Sequence, residues 1–352
     1  MAETRTTRQR PGPARGPERP APEQRRTMPA GRVFVVMLVC LSLWSLLFAP
    51  TMERAAEASP DGARRTVALD VLGPLAAISN ALQVTKVTDA VERALGRNPE
   101  EAPGGQIVIP PEPIPSTSGG APTPSPKGWI RVPTAANKLR VVVVGDSLAA
   151  GLGTYLERAL NPSLVRVSPQ GRISTGLARP DYFNWFAAMR TIVERFDPDL
   201  VFVMLGENDD QALRTPGGQT ATPIGTPAWP PAYERRVVKL MRIATSNGAR
   251  VVWVGLPNVR AEEWRLALIQ RQNGVFVDAA NQVRNVAFFD TWKAFSTPKG
   301  GYTAYYRNGD TVELIRESDG IHFTSAGYLL LARAAVDLAR TEFRLTPRAI
   351  AG

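Results

Sequence analysis

The sequence predicts an α/β domain, a doubly wound and mostly parallel sheet flanked by helices on both faces, preceded by an N-terminal transmembrane helix. Three observations carry this. Apolar runs of strand length recur after residue 136, separated by stretches with helical spacing. Continuously apolar strands of that kind belong to parallel sheets covered on both sides. The two strongest runs end in turns of small and polar residues, Gly145-Asp146-Ser147 and Gly206-Glu207-Asn208. Finally, residues 33–49 (VFVVMLVCLSLWSLLFA) hold no charge.

Residues 1–31 are rich in Pro, Arg, Gly and Glu with almost no large apolar side chains, the composition of a disordered arm. Residues 32–50 form the anchor: such a run, as a helix, is roughly 28 Å long, close to the hydrocarbon thickness. Arg25, Arg26 and Arg32 precede it, which by the positive-inside rule keeps the N-terminus cytoplasmic and exports the rest. A cleaved signal peptide ending near Ala56-Glu57-Ala58 is the alternative. The apolar run exceeds the usual signal length, however, and the triplet lies well beyond its end. Residues 51–97 read as two short amphipathic helices beside the membrane, interrupted by Gly73-Pro74 and serving as a stalk or a partner-helix surface. Residues 98–135, dense in Pro, Ser and Gly, read as a semi-rigid linker.

Residues 136–345 read as the folded domain. LRVVVVG is a strand, SLAAGLGTYLERAL a helix and LVRVS a short strand. DYFNWFAAMRTIVERF is helical, and PDLVFVMLGEND repeats the pattern of strand and polar turn. AYERRVVKLMRIATSNGA is a helix, ARVVWVGLP and VRNVAFFD are strands, and TSAGYLLLARAAVDLAR is the closing helix. The segment from Thr215 to Pro231 is too proline-laden for regular structure and reads as a flap near the third-strand turn.

Bulk properties exclude several function classes. Of the net charge of +10, five units lie in residues 1–32, where eight arginines face three glutamates. The remainder is diluted over some 320 residues without a basic helix or interleaved aromatics, which argues against nucleic acid as a partner. Cys40, the single cysteine, excludes an internal disulfide, and the single histidine, His322, excludes multi-histidine metal sites. No cofactor is expected.

In a doubly wound sheet, ligands bind beyond the carboxyl ends of the strands. The polar residues there are Ser147 after the first strand and Asn208 after the third, joined by the Asp319-Gly320-Ile321-His322 loop before the last helix. Cleavage of an ester needs these types. A serine hydroxyl is a weak nucleophile until a base takes its proton, and His322 is the only imidazole in the chain. An aspartate three residues earlier can orient that base and stabilise its cationic form. The Asn208 amide and backbone N–H groups at the helix start after Ser147 can stabilise the oxyanion. Ser174, in a Gly-Arg-Ile-Ser-Thr-Gly run one residue too long for a nucleophile elbow, reads as pocket lining. Arg179 and Asp181 read as an ion pair holding their loop. Trp185, Trp229, Trp253 and Trp264 read as core or helix-packing residues.

Taken together, the blocks GDSL, a glycine block, G-x-N-D and D-x-x-H resemble those of the SGNH (GDSL-type) hydrolase superfamily. STGLARPDYFNW, VGLP and DGIHFTSAGY are similar to a bacterial exported subgroup catalogued as a domain of unknown function. The resemblance covers about residues 137–342. It implies a flavodoxin-like three-layer fold, a catalytic triad of Ser147, Asp319 and His322, and an oxyanion hole of Ser147, Gly176 and Asn208. The implied activity is a serine esterase working through an acyl-serine, its substrate an O-acyl (acetyl foremost) group on cell-envelope glycan or polysaccharide. An O-acyltransferase with the same triad and a non-catalytic envelope-binding protein are the alternatives. Glu207, where many relatives carry a small residue, places a carboxylate near the pocket.

Overall fold

The computed structural model describes residues 30–57, 63–81, 128–308 and 311–351. The arm assigned to residues 1–31 lies almost wholly outside the described residues, and so does all of 82–127, with most of the linker. Helix α1 (Ala30–Glu57) contains the uncharged run, with Phe34, Met37 and Leu41 each 63–64% exposed. Among the described residues, no helix is long and apolar enough to cross a membrane, so the spanning helix expected over residues 32–50 is not seen there. Helix α2 (Ala63–Ala81) packs on α1. It continues through Gly73-Pro74, where the sequence predicted a break. A proline inside a helix removes one backbone donor, and packing against a neighbour can outweigh that loss.

The elements that follow are β1 (Leu139–Gly145), α3 (Ser147–Ala159), β2 (Val165–Gly171), α4 (Trp185–Phe196) and β3 (Leu200–Met204). A small ladder of β4 (Leu213–Arg214) and β5 (Thr220–Thr222) leads to α5 (Trp229–Ala244), β6 (Arg250–Val254), α6 (Glu263–Gln282), β7 (Val286–Phe289) and the short α7 (Thr291–Ala294). A hairpin of β8 (Tyr305–Asn308) and β9 (Thr311–Leu314) precedes α8 (Ser325–Phe343).

Five strands form one parallel sheet in the order β2-β1-β3-β6-β7. The order reverses between β1 and β3, so the switch point lies beyond Gly145 and Met204, where the polar turns stand. Right-handed crossovers put α3 on one face and α5 and α6 on the other. Accordingly α3 packs with α8, while α4, α5 and α6 pack in series. Central strands are buried throughout, with Val141 to Val144 and Leu200 to Met204 all at 0% exposure. The edge strand β2 is mostly solvated beyond Val165 and tolerates Pro169, as only an edge can.

Helix α6 was not legible in the sequence. Its inner face carries Gln272, Asn273 and Asp278 among the apolar residues, which blurs the stripe. Two of these cap strand ends: Gln272 donates to Gly206 O, and Asn273 brackets Leu256 through both its N–H and its C=O. The segment from Thr215 to Pro231 is more regular than expected, holding β5 and the start of α5. Pro230 and Pro231 sit in the first helical turn, where a missing N–H costs nothing. Residues 128–135, read as linker, dock instead: Ile130 N–H bonds Phe343 O and Arg131 pairs with Asp199. At the other end Leu160 bridges Ile350.

Candidate active site

Ser147 is the first residue of α3, and the turn that delivers it is sterically specified. Gly145 has φ of 144°, and a Cβ there would lie 1.7 Å from Met204 O, so only glycine can leave β1 this close to β3. Asp146 caps α3, its Oδ1 accepting from Leu148 N–H. The half-buried Ser147 Oγ lies 2.8 Å from His322 Nε2, and His322 Nδ1 lies 2.6 Å from Asp319 Oδ2. Asp319 Oδ1 accepts from the N–H groups of Ile321 (2.8 Å) and His322 (3.0 Å).

Partial burial pushes the Asp319 carboxyl up, but the His322 ring and these two N–H groups outweigh it and hold it below the usual range. An ionised carboxylate only accepts, so Nδ1 carries the imidazole proton and the Nε2 lone pair faces the serine hydroxyl. The three residues taken from the D-x-x-H loop and the first strand end are thus joined in one hydrogen-bond chain.

The Asn208 turn and the loop holding Gly176 meet one another. The Asn208 amide donates to Thr175 O at 3.1 Å, leaving its second N–H available. Gly176 is buried, and a Cβ on it would fall 2.1 Å from Asp209 Oδ1. Its loop is held by a chain of side-chain bonds, Trp185 Nε1 to Thr175 Oγ1 and Thr175 Oγ1 to Arg172 O. Ser174, with φ of 58°, is exposed at the tip of that turn, and His322 Nε2 is bonded to Ser147, not to it. Arg179 and Asp181 form the ion pair expected of them, at 2.9 Å. Trp185, Trp229 and Trp253 are core residues, whereas Trp264 is 58% exposed, bonded to Glu262.

Two buried carboxylates, which sequence reasoning did not single out, tie these parts together. Asp209 accepts from Leu177 N–H (2.9 Å), Ala178 N–H (2.6 Å) and Tyr233 OH (2.7 Å), fixing the glycine loop against the Asn208 turn. Asp146 reaches with Oδ1 to the residue after Ser147 and with Oδ2 to the N–H groups of Gly206 and Glu207 (3.1 Å each), just before Asn208. Burial raises the Asp209 carboxyl and pushes Asp146 up to about 7, against the N–H donors that favour the anion. Both stand within motifs already in view, GDS and GEND. For Asp146 the signal was a charged residue directly after the all-apolar end of β1.

Glu207 does not face the pocket. Its side chain is 5% exposed and pairs with Arg265 at 2.6 Å, and burial pushes it up to about 7 despite that partner. Arg316, fully buried, donates to Ile321 O and Asn258 O with its guanidinium 3.7 Å over the Phe323 ring.

Similar solved structures include a protein assigned as an SGNH hydrolase from Slackia heliotrinireducens, with 22% identity over 58% of this chain and 99% of that one, and a TM-score of 0.40. A carbohydrate acetylesterase family member from Sinorhizobium meliloti has 17% identity over 59% and 100%, TM-score 0.42. A catalytic mutant of an acetylxylan esterase from Geobacillus stearothermophilus has 16% identity over 56% and 93%, TM-score 0.39. No curated protein matches the chain. A family model described as protein of unknown function (DUF459) matches residues 140–338, more than half of the chain and every residue of the site, and the chain belongs to that family.

Proposed function

We propose that this protein is a membrane-anchored serine esterase that removes O-acyl groups, acetyl foremost, from cell-envelope glycan or polysaccharide. The hydrogen-bond chain from Ser147 through His322 to Asp319 carries the reading. Ser147 Oγ attacks the ester carbonyl while its proton passes to His322 Nε2. The tetrahedral oxyanion is met by the N–H groups of Ser147 and Gly176 and by the free N–H of the Asn208 amide. Collapse expels the sugar alkoxide, which leaves with the proton held on His322. Water then attacks the acyl-serine, gives its proton to His322 and releases the carboxylic acid, and Ser147 recovers its hydrogen.

Solvent access favours hydrolysis over acyl transfer to a second alcohol. The His322 and Asp319 side chains are 36% and 45% exposed, so water has a path to the acyl-enzyme. A purely binding role gives no reason for the three side chains to be aligned with a free imidazole lone pair on the hydroxyl. The location rests on the uncharged run from Val33 to Ala49 and the arginines before it, which as an anchor put the site outside the cytoplasm. The polymers met there, and their O-acyl groups, are the substrates assigned.

The test is acetate release by the full-length protein in detergent, beside its Ser147→Ala variant, from p-nitrophenyl acetate and from O-acetylated envelope glycan. Release from both by the wild type alone supports the proposal. Release from p-nitrophenyl acetate only sinks the glycan assignment. Consumption of acetyl donor only when a sugar acceptor is added makes the protein a transferase.

A further inference from the structure

We infer that Arg316 is the positioning residue of the triad, holding the Asp319–His322 loop against the exit of β6 so that the imidazole meets Ser147. The inference rests on the esterase reading for its catalytic meaning, and on four structural observations for its substance.

The first is where the guanidinium sits. Arg316 has 0% exposure, and arginine is almost never fully buried without a structural reason. The second is what it holds. Nη1 donates to Ile321 O at 2.9 Å, one residue before His322, and Nη2 donates to Asn258 O at 2.8 Å, in the segment after β6. One rigid fork therefore bridges the triad loop to the sheet. The third is how the loop closes around it. Arg316 forms a backbone bridge with Phe323, and Glu317 N–H bonds His322 O at 2.9 Å. Thr324 N–H bonds Ile315 O at 3.0 Å, and the Phe323 ring lies beneath the guanidinium. The segment from Ile315 to Thr324 is thus a ring of chain with Arg316 as its hub.

The fourth observation is charge. No carboxylate pairs directly with Arg316 among the described residues. Burial lowers it to about 10, so it remains a cation at neutral pH. The carboxylates that act on it through space are Glu207, beside Asn208, and Asp319, in the triad. Tyr302 and Tyr328 act on it through space as well. Asp319 itself is held ionised by the His322 ring and the N–H groups of Ile321 and His322, so what Arg316 adds to the loop is position. Packing alone asks for none of this, since an apolar side chain could fill the space. What the fork supplies is two simultaneous carbonyl bonds at a fixed separation.

The experiment compares full-length wild type with Arg316→Met and Arg316→Lys in detergent, each checked for folding by its melting transition. Turnover of p-nitrophenyl acetate is measured together with the imidazole NMR spectrum of protein labelled with ¹⁵N-histidine. His322 is the only histidine, so its ring signals need no assignment. Arg316→Met should lower kcat by about 10²-fold, the cost of a misplaced catalytic group, with KM within about threefold. It should also shift or broaden the downfield Nδ1 proton that bonds Asp319. The ammonium of Arg316→Lys cannot span both carbonyls, so it should keep the fold and still lose most of the rate. If Arg316→Met fails to fold, Arg316→Lys decides by the same two readouts. A folded variant with wild-type kcat and an unmoved His322 spectrum overturns the inference. If the wild type itself turns over no ester, the esterase reading fails, and the spectrum alone judges whether Arg316 holds the ring.

Discussion

Asp209 gives the sharpest handle on how the site is assembled, because Asp209→Asn changes one atom in a fully enclosed place. The carboxylate accepts from Leu177 N–H, Ala178 N–H and Tyr233 OH, while Arg236 Nη1 holds only the carbonyls of the same two residues. An amide can keep only one of the two oxygens. With its NH₂ at the Oδ1 position it faces Ala178 N–H. At the Oδ2 position it faces Leu177 N–H, while Tyr233 OH can turn round and accept. Either way one buried N–H loses its acceptor, at a cost of about 1–3 kcal/mol. Removing a charge whose burial is unfavourable offsets part of this, so the lower half of the range is expected. For a domain of this size that corresponds to a fall in Tm of roughly 2–8 °C. The kcat for p-nitrophenyl acetate should fall about tenfold or more with KM little changed, because in the proposed mechanism the displaced loop carries an oxyanion donor rather than a substrate contact. Tyr233→Phe is the control: it removes one donor, costs about 1 kcal/mol and spares kcat. A melting point and kcat for Asp209→Asn equal to wild type would refute the claim that this carboxylate organises the glycine loop.

Further expectations concern the oxyanion donors and pH. Asn208→Ala should lower kcat by roughly 10²–10³ with folding intact, as for loss of one donor; an unchanged rate in steady-state assays removes Asn208 from the site. Gly176→Ala drives a methyl to 2.1 Å from Asp209 Oδ1, so both stability and kcat should drop, and a fully active, equally stable variant contradicts the packing described. Asp146 and Glu207 both reach about 7 in the fold against 3.8 and 4.5 ordinarily. The folded protein therefore keeps protons that the unfolded chain sheds between about pH 4 and 7, and stability declines as pH rises through 7. Asp319, held low, acts with the opposite sign and only below that window. Melting scans should show Tm falling from pH 5 to pH 8, and a flat or rising Tm counts against the buried carboxyls.

Much of this architecture was legible because the central strands are uniformly apolar and end abruptly in polar turns. Val141 to Val144 and Leu200 to Met204 admit one reading, a strand covered on both faces, and their ends mark the switch point where Ser147 and Asn208 stand. The hydrogen-bond chain from Ser147 through His322 to Asp319 was legible because the sequence offers a single imidazole. What stayed hidden depends on inward-facing polar groups. Gln272 and Asn273 face the core to satisfy strand-end backbone, so α6 lost its apolar stripe. Asp146 and Asp209 read as ordinary turn residues until their burial and N–H donors are seen. Glu207 read as a pocket carboxylate, yet it turns inward to Arg265, which lies 58 positions away in sequence. Arg316 sits in a mixed polar stretch with no local sign that its side chain is enclosed, since the contacts that enclose it come from Asn258 and the loop it supports.

The most direct test of the central claim is to trap the intermediate. Full-length protein mixed with p-nitrophenyl acetate, quenched in acid within the first turnovers and digested, is read by peptide mass spectrometry. The account expects one acetyl group on the peptide holding Ser147, absent from Ser147→Ala and strongly reduced in His322→Ala. Acetyl on Ser174 or elsewhere, or turnover with no acylated serine, would contradict it.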